Sequence, residues 1–250
     1  MTPVFAAAVA VPLAMGARAA GWVTTPAAAL GAALSWVVLI RAGPAGLALL
    51  ATFVVSGSLL ARGGDRQPVG TRRRAVQVAA NGWTAAAGAG LMLHAPDLGW
   101  AVFAGGLAAA QADTWATEIG TRATPVPRLI TTGARVPAGT SGGVTALGTA
   151  GGIAGAGLLS LLVLALGLGP RLALTAGAAG VAGMLADSVL GAIAQRGFRC
   201  VRCDARVDSP THCDATAVAL PGWRRLSNDA VNAAATGVGG ALGAAATLVG

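Results

Sequence analysis

The stretch "GGLAAAQADTWATEIGTRA", residues 105–123, decides how the chain is read. It begins as an apolar helix of small residues. It then places Asp113 and Glu118 where a membrane helix should stay apolar. A second stretch, "AAGVAGMLADSVLGAIAQRG" at residues 178–197, repeats the step with Asp187 after the same Ala-Asp lead-in. Both Ala-Asp steps are followed by a hydroxyl residue, Thr114 and Ser188. A carboxylate inside hydrocarbon is expensive, and it is kept where it faces water, a partner or a metal.

The surroundings of these stretches are those of a membrane protein. The chain has 250 residues, of which 55% are hydrophobic and 10% charged. A soluble domain carries roughly 25% charged residues. Mean hydropathy is +0.70. The 38 glycines, with abundant alanine, suit close helix–helix approach in lipid. All 17 basic residues are arginine, and there is no tyrosine. The net charge of +8 does not indicate nucleic acid. The arginines sit in loops between apolar runs, which is a membrane-topology pattern. The N-terminus, "MTPVFAAAVAVPLAMGARAAGW", has no basic region before its apolar run. It reads as a first membrane helix rather than a cleaved signal.

Apolar runs long enough to span a bilayer lie near 3–21, 26–41, 44–61, 75–93, 98–120, 141–167, 171–195 and 229–249. The expected fold is an all-α polytopic membrane bundle of seven to nine spans, residues 1–250 forming one membrane domain. Pro26 and Pro44 fall at span starts. Three connections are rich in arginine: 62–74, 121–140 and 196–228. The alternate connections 94–97 and 168–170 have none. The positive-inside rule places the arginine-rich loops in the cytoplasm and, with eight spans, both termini outside. Arg41 falls on the outer side, a mild violation. The embedded polar residues follow the same asymmetry. Asp113, Glu118, Asp187, Gln195, Asn81, Asn228, Asp229 and Asn232 all lie toward the arginine-rich face.

Carboxylate oxygens are hard ligands, and Mg²⁺ is commonly held by one or two of them together with phosphates and water. Asp113 and Asp187, on separate helices, are the candidate pair. Glu118 points to a different face of its helix from Asp113, whereas Thr117 shares that face. Glu118 also reads as a helix-end carboxylate pairing with a loop arginine. In "RVPAGTSGGVTALGTAGG", residues 135–152, Gly139, Thr140, Ser141, Gly142 and Gly143 lead into a helix. Such a loop exposes N–H groups to an anion, while its hydroxyls serve equally as helix caps. It is not a Walker motif. Arg72, Arg73 and Arg74 precede Asn81 by about two turns and read either as phosphate partners or as anchors of the helix end. Asn228 and Asp229 read as caps or as site residues, and Asn232 lies one turn deeper.

All three cysteines fall in "RCVRCDARVDSPTHCDA", residues 199–215. Cys200, Cys203, His212 and Cys213 form two close pairs of soft or borderline ligands, as in a zinc knuckle. A disulfide and free thiols are the other readings, and a cytosolic loop disfavours the disulfide. Four protein ligands leave no open position, so the expected Zn²⁺ is structural.

Taken in order, "RRRAVQVAANG", "QADTWATEIG", "PAGTSGGVTALGT", "ADSVLGAIAQ", "CVRC…HC" and "LSNDAVN" resemble the domain of unknown function 92 family. That family of integral membrane proteins includes transmembrane protein 19 and plant phytyl-phosphate kinase. The resemblance covers the chain from about residue 56 to the end. It implies a membrane enzyme that phosphorylates a prenyl monophosphate to the diphosphate, with CTP favoured as donor. It implies Asp113, Glu118 and Asp187 as the acidic motifs and Thr140 to Gly143 as the phosphate loop. Asn228, Asp229 and Asn232 would complete the polar face, with the Cys/His segment 196–228 as a cytoplasmic insert. The family often has lysine near the first basic motif, and this chain has only arginine there. The expected partners are a prenyl phosphate lipid, a nucleoside triphosphate and the bilayer of a prokaryotic plasma membrane, with no nucleic acid. Two rivals stand beside this expectation. One is a secondary transporter whose acidic repeat helices line a path. The other is a lipid-binding or scaffold protein that docks through the Cys/His loop.

Overall fold

The computed structural model describes residues 2–62, 72–122, 126–204, 206–207, 210–220 and 226–248. Eight helices follow the apolar runs: α1 Pro3–Ala19, α2 Thr25–Arg41, α3 Gly43–Arg62, α4 Ala75–Leu91, α5 Pro96–Gly120, α6 Ala146–Ala165, α7 Pro170–Ile193 and α8 Asn228–Leu248. Proline lies in the first turn of α1, α2, α5 and α7, where its missing N–H leaves no bond unmade. Thr2 and Thr145 cap α1 and α6 by accepting from the Phe5 N–H (3.3 Å) and the Gly148 N–H (3.0 Å).

The stretch that opened the sequence reading is the centre of the bundle. α5 packs against α3, α4, α6, α7 and α8. Its burial explains why it tolerates polar residues. Gln111 is fully buried and donates to Ser56 Oγ at 2.9 Å, and the Trp115 indole donates to the same oxygen at 3.2 Å. The crossing of α5 and α8 admits no side chain. A Cβ on Gly105 would lie 2.5 Å from the Gly239 carbonyl oxygen, and one on Gly239 would lie 2.6 Å from that of Gly105. Larger side chains fill one side of the bundle, where Val38, Leu49, Phe53, Phe103 and Leu159 form the apolar core.

Four of the described helices are long and apolar enough to cross a membrane by length and composition: α3, α6, α7 and α8. That is fewer than the seven to nine spans expected. α1 and α2 are apolar but have only 17 residues each. α4 is equally short and carries Gln77 and Asn81, while the longer α5 carries Asp97, Asp113 and Glu118. A helix enclosed by its neighbours need not be apolar toward lipid.

Helix directions alternate, so the bundle has two distinct ends. At one end the α1–α2 turn meets the start of α4, where the Thr24 N–H bonds the Arg73 carbonyl and the Arg73 N–H bonds that of Trp22, each at 3.0 Å. At the other, the Trp36 indole donates to the Pro3 carbonyl (3.0 Å) and Arg171 to that of Ala246 (2.7 Å). The first end carries all the described strands. β1 Arg128–Leu129 pairs with β2 Gly143–Val144 between α5 and α6. Between α7 and α8, β3 Phe198–Arg199 pairs with β4 Arg206–Val207 and β7 Val218–Ala219, and β5 Thr211–His212 pairs with β6 Ala215–Thr216.

Candidate functional site

A cleft of about 370 Å³ lies at this arginine-rich end, walled by the last turns of α5 and α7 and the first turns of α6 and α8. Asp113 and Thr117 enter it from α5, Asp187 and Ser188 from α7, and Asn228 from α8. The whole loop from Gly139 to Gly143 closes one wall. The two Ala-Asp steps and the glycine-hydroxyl loop, far apart in the chain, therefore share one cavity. Asp113 and Thr117 are four residues apart and project from one helix face.

The loop is held by glycine. Gly142 has φ +75, and a Cβ there would lie 2.5 Å from Ala192 Cβ and 2.6 Å from the Ser188 carbonyl oxygen. Its backbone thus rests directly on the end of α7. Thr140 Oγ1 is buried in the cleft wall with no hydrogen-bond partner among the described residues. The sequence left helix capping open as the role of Thr140 and Ser141. The structure gives that role to Thr145, because β2 interposes between the loop and α6, which starts at Ala146 rather than near residue 141.

The polar network around Asp187 comes from α8. With its amide nitrogen facing the acceptors, Asn232 donates to Asp187 Oδ2 at 3.0 Å and to the Asn228 carbonyl at 3.2 Å. Gln195 donates to Asn228 Oδ1 at 3.3 Å. Capping of α8 falls to Ser227, whose Oγ accepts from the Ala230 N–H at 3.2 Å, rather than to Asn228 or Asp229. Thr145, Thr149 and Thr121 also line the cleft and were not singled out from sequence. Scattered threonines at helix ends carry no signal that separates them from caps.

Several expected residues stand elsewhere. No arginine is among the described residues that line the cleft. Arg74 is exposed and pairs with Asp229 at 3.3 Å, which draws Asp229 out of the cleft lining. Arg73 lies between α3 and α5 with its guanidinium 5.5 Å from the Phe53 ring centre. Glu118 points away from the cleft and interacts with the charges of Arg73 and Arg122. Arg73 and Asn81 line a second, apolar pocket instead. Arg72 is exposed.

Cys200, Cys203, His212 and Cys213 converge, their ligand atoms all within 4.8 Å of one another. The thiols are free. Cys203 Sγ lies 3.8 Å from Cys213 Sγ and 3.5 Å from His212 Nδ1, which is 3.2 Å from Cys213 Sγ. Tetrahedral zinc with its usual bond lengths has S–S edges of about 3.8 Å and S–N edges of about 3.6 Å. The cluster could hold one metal ion with little movement. Left-handed backbone at Cys213 (φ 51) lets adjacent His212 and Cys213 face one point. The Cys203 N–H, the His212 ring and the Arg202 N–H push the Cys200 thiol down to about 6. The neighbouring Cys203 sulfur pushes Cys213 up to about 11. A cation at the centre reverses that second effect.

Residues 8–240 match the family described as integral membrane protein DUF92. The chain belongs to that family. The DUF92 match spans the cleft, both Ala-Asp steps and the Cys/His segment. An uncharacterized membrane protein of Methanocaldococcus jannaschii is 32% identical over 170 residues, covering 65% of this chain and 71% of its own. No solved structure matches the chain.

Proposed function

We propose that this DUF92 protein is a membrane-embedded kinase of prenyl monophosphates, with the cleft at the arginine-rich end as its active site. One observation carries the reading. Two carboxylates and an N–H- and hydroxyl-rich loop share a cleft whose described lining holds no basic residue. Such a cleft repels a phosphate unless a cation intervenes. Asp113 and Asp187 would hold a Mg²⁺ that would supply that cation and neutralise phosphate charge. Asn232 orients Asp187 for this role. The loop from Gly139 to Gly143 faces the remaining phosphate oxygens, and Thr140 Oγ1 is a donor awaiting a partner. An oxygen of the acceptor monophosphate attacks the γ-phosphorus of CTP or another nucleoside triphosphate. The bond from that phosphorus to the β–γ bridging oxygen breaks, leaving the nucleoside diphosphate and the prenyl diphosphate. Positioning and charge neutralisation dominate such transfers. The Cys/His cluster holds a structural Zn²⁺ that stiffens the segment between α7 and α8. The positive-inside rule puts the cleft on the cytoplasmic side, where nucleotides are found.

A transporter site lies near the bilayer midplane between repeats. This cleft is formed at helix ends, which favours the enzyme. The test is transfer of label from γ-labelled CTP or ATP to geranylgeranyl or phytyl monophosphate by the purified protein with Mg²⁺. Asp113→Asn and Asp187→Asn are each expected to slow transfer by about a hundredfold or more, the scale of losing a preorganised electrostatic contact. Transfer that survives both substitutions, or a folded protein that labels no prenyl phosphate, sinks the reading. In the second case, cation flux in liposomes becomes the question.

A further inference from the structure

The second pocket, about 350 Å³ between α1, α2, α3 and α4, has no part in the cleft. Its walls are apolar for most of their length, with Leu13, Ala28, Leu34, Leu50 and Val54 among them. Apart from Ser35 on α2, its polar side chains gather at one end. There Arg73 and, on successive turns of α4, Gln77 and Asn81 line it. That end coincides with the arginine-rich end of the bundle, because Arg73 lies two residues before the start of α4. From Val55 back to Leu47 the α3 wall runs about 12 Å away from the arginine-rich end into the bundle.

Glu118 is the carboxylate facing Arg73 at this end, and the Arg73 guanidinium with the amides of Gln77 and Asn81 gives the pocket N–H donors suited to a phosphate. Arg73 also touches the helix that carries the candidate metal ligand. A Cβ on Gly57 would lie 2.7 Å from an Arg73 nitrogen and 3.0 Å from the Thr114 methyl, so guanidinium and Thr114 meet there. Thr114 and Glu118 occupy the flank of α5 next to the one bearing Asp113 and Thr117.

We propose that the α1–α4 pocket binds a single-chain amphiphile, its apolar tail among α1, α2 and α3 and its phosphate head at Arg73. The volume is at the low end of the range for ligand pockets, which suits one tail. This deepens the kinase reading and rests on it for one point, the identity of the amphiphile as the acceptor lipid. Arg73, which meets Thr114 of α5 at Gly57, then links the polar end of the pocket to the helix that carries Asp113.

Two glycines allow a clean test. Gly31 and Gly16 line the pocket, and a Cβ on either would meet nothing within 4 Å. Gly31→Phe and Gly16→Leu therefore add bulk to the pocket from a Cβ that meets nothing, and both replacements favour a helix. The probe is a diazirine-tagged C20 isoprenoid monophosphate, applied without nucleotide to the protein in nanodiscs and mapped by peptide mass spectrometry. Labelling is expected within residues 12–55 and to be competed by geranylgeranyl monophosphate but not by inorganic phosphate. Each filling variant should lower that labelling about tenfold, while Arg73→Gln should erase the preference for the phosphate over geranylgeraniol. Asp113→Asn should label as the wild type does. Labelling that is not competed, that falls outside α1–α4, or that is unchanged in both filling variants overturns the pocket assignment. Because no transfer is needed, a chain that binds here yet phosphorylates nothing loses only the kinase reading. A chain that phosphorylates with an unchanged KM in Gly31→Phe loses only the pocket.

Discussion

Gly142 and Gly133 share a left-handed backbone, φ +75 and +70, yet they answer to different constraints. A Cβ on Gly133 would meet nothing within 4 Å, whereas one on Gly142 would strike Ala192 Cβ and the Ser188 carbonyl. Alanine at Gly133 carries only the left-handed strain, about 1 kcal/mol. Alanine at Gly142 adds a clash with backbone that cannot retreat, for a total of about 3 kcal/mol. For a chain of this size the unfolding midpoint in detergent should fall by about 3 °C for Gly133→Ala and about 10 °C for Gly142→Ala. Equal shifts would mean that the loop does not rest on α7. The motif of glycines and hydroxyls was legible in the sequence, as were the two aspartates. Which hydroxyl caps which helix was not. Thr145 and Ser227, rather than Thr140, Asn228 or Asp229, do the capping, because the choice depends on where β2 and the α8 approach end. The same holds for Arg72 to Arg74. Their charge was visible, but Asp229 and Glu118 compete for them within the fold.

Among the elements, the helix ends could be read to within about two residues, the start of α6 excepted, since prolines mark the starts of several and each apolar run is bounded by polar loops. The strand pairs could not. β1 and β2 are two residues each and are joined only across the loop between them, a pairing that no local periodicity reports. The Cys/His element lies between these cases. Its ligand types and spacing were evident, and its geometry depends on β3, β5 and the left-handed turn at Cys213. If the element holds zinc, purified protein should contain one zinc per chain by elemental analysis. Cys203→Ser should lose it. The sign of the pH effect follows from Cys213. Its thiol sits at about 11 without metal, so it is protonated at neutral pH and the incoming ion must displace that proton. Affinity should therefore rise with pH and fall as acid returns the proton to the Cys213 sulfur. Zinc retained in a Cys203→Ser, Cys213→Ser double variant, or affinity flat from pH 6 to 8, would remove the metal from this element.

At the scale of the whole molecule, alternation of eight helices sends α1 and α8 to leave and finish at the end opposite the cleft. The sequence anticipated this from arginine placement alone, because charge asymmetry between loops is a property of the entire chain and needs no packing detail. What it could not anticipate is that α5 sits inside five other helices, so its polarity is absorbed by Ser56 and its neighbours rather than by lipid. Hydropathy therefore undercounts the helices that traverse the bundle. The orientation has a functional edge. If the arginine-rich end faces the cytoplasm, alkaline phosphatase fused after residue 248 is active and green fluorescent protein fused there is dark. Fusions after residue 132, in the turn between β1 and β2, should give the reverse pair. The opposite pattern would leave every helix contact intact but move Asp113 and Asp187 to the outer face. A cleft there has no supply of nucleoside triphosphate, and the transfer reaction would have to be abandoned on topology alone. The expected pattern brings donor nucleotide, lipid head group and carboxylates to the same side, which is the least that a kinase acting on a membrane-bound phosphate requires.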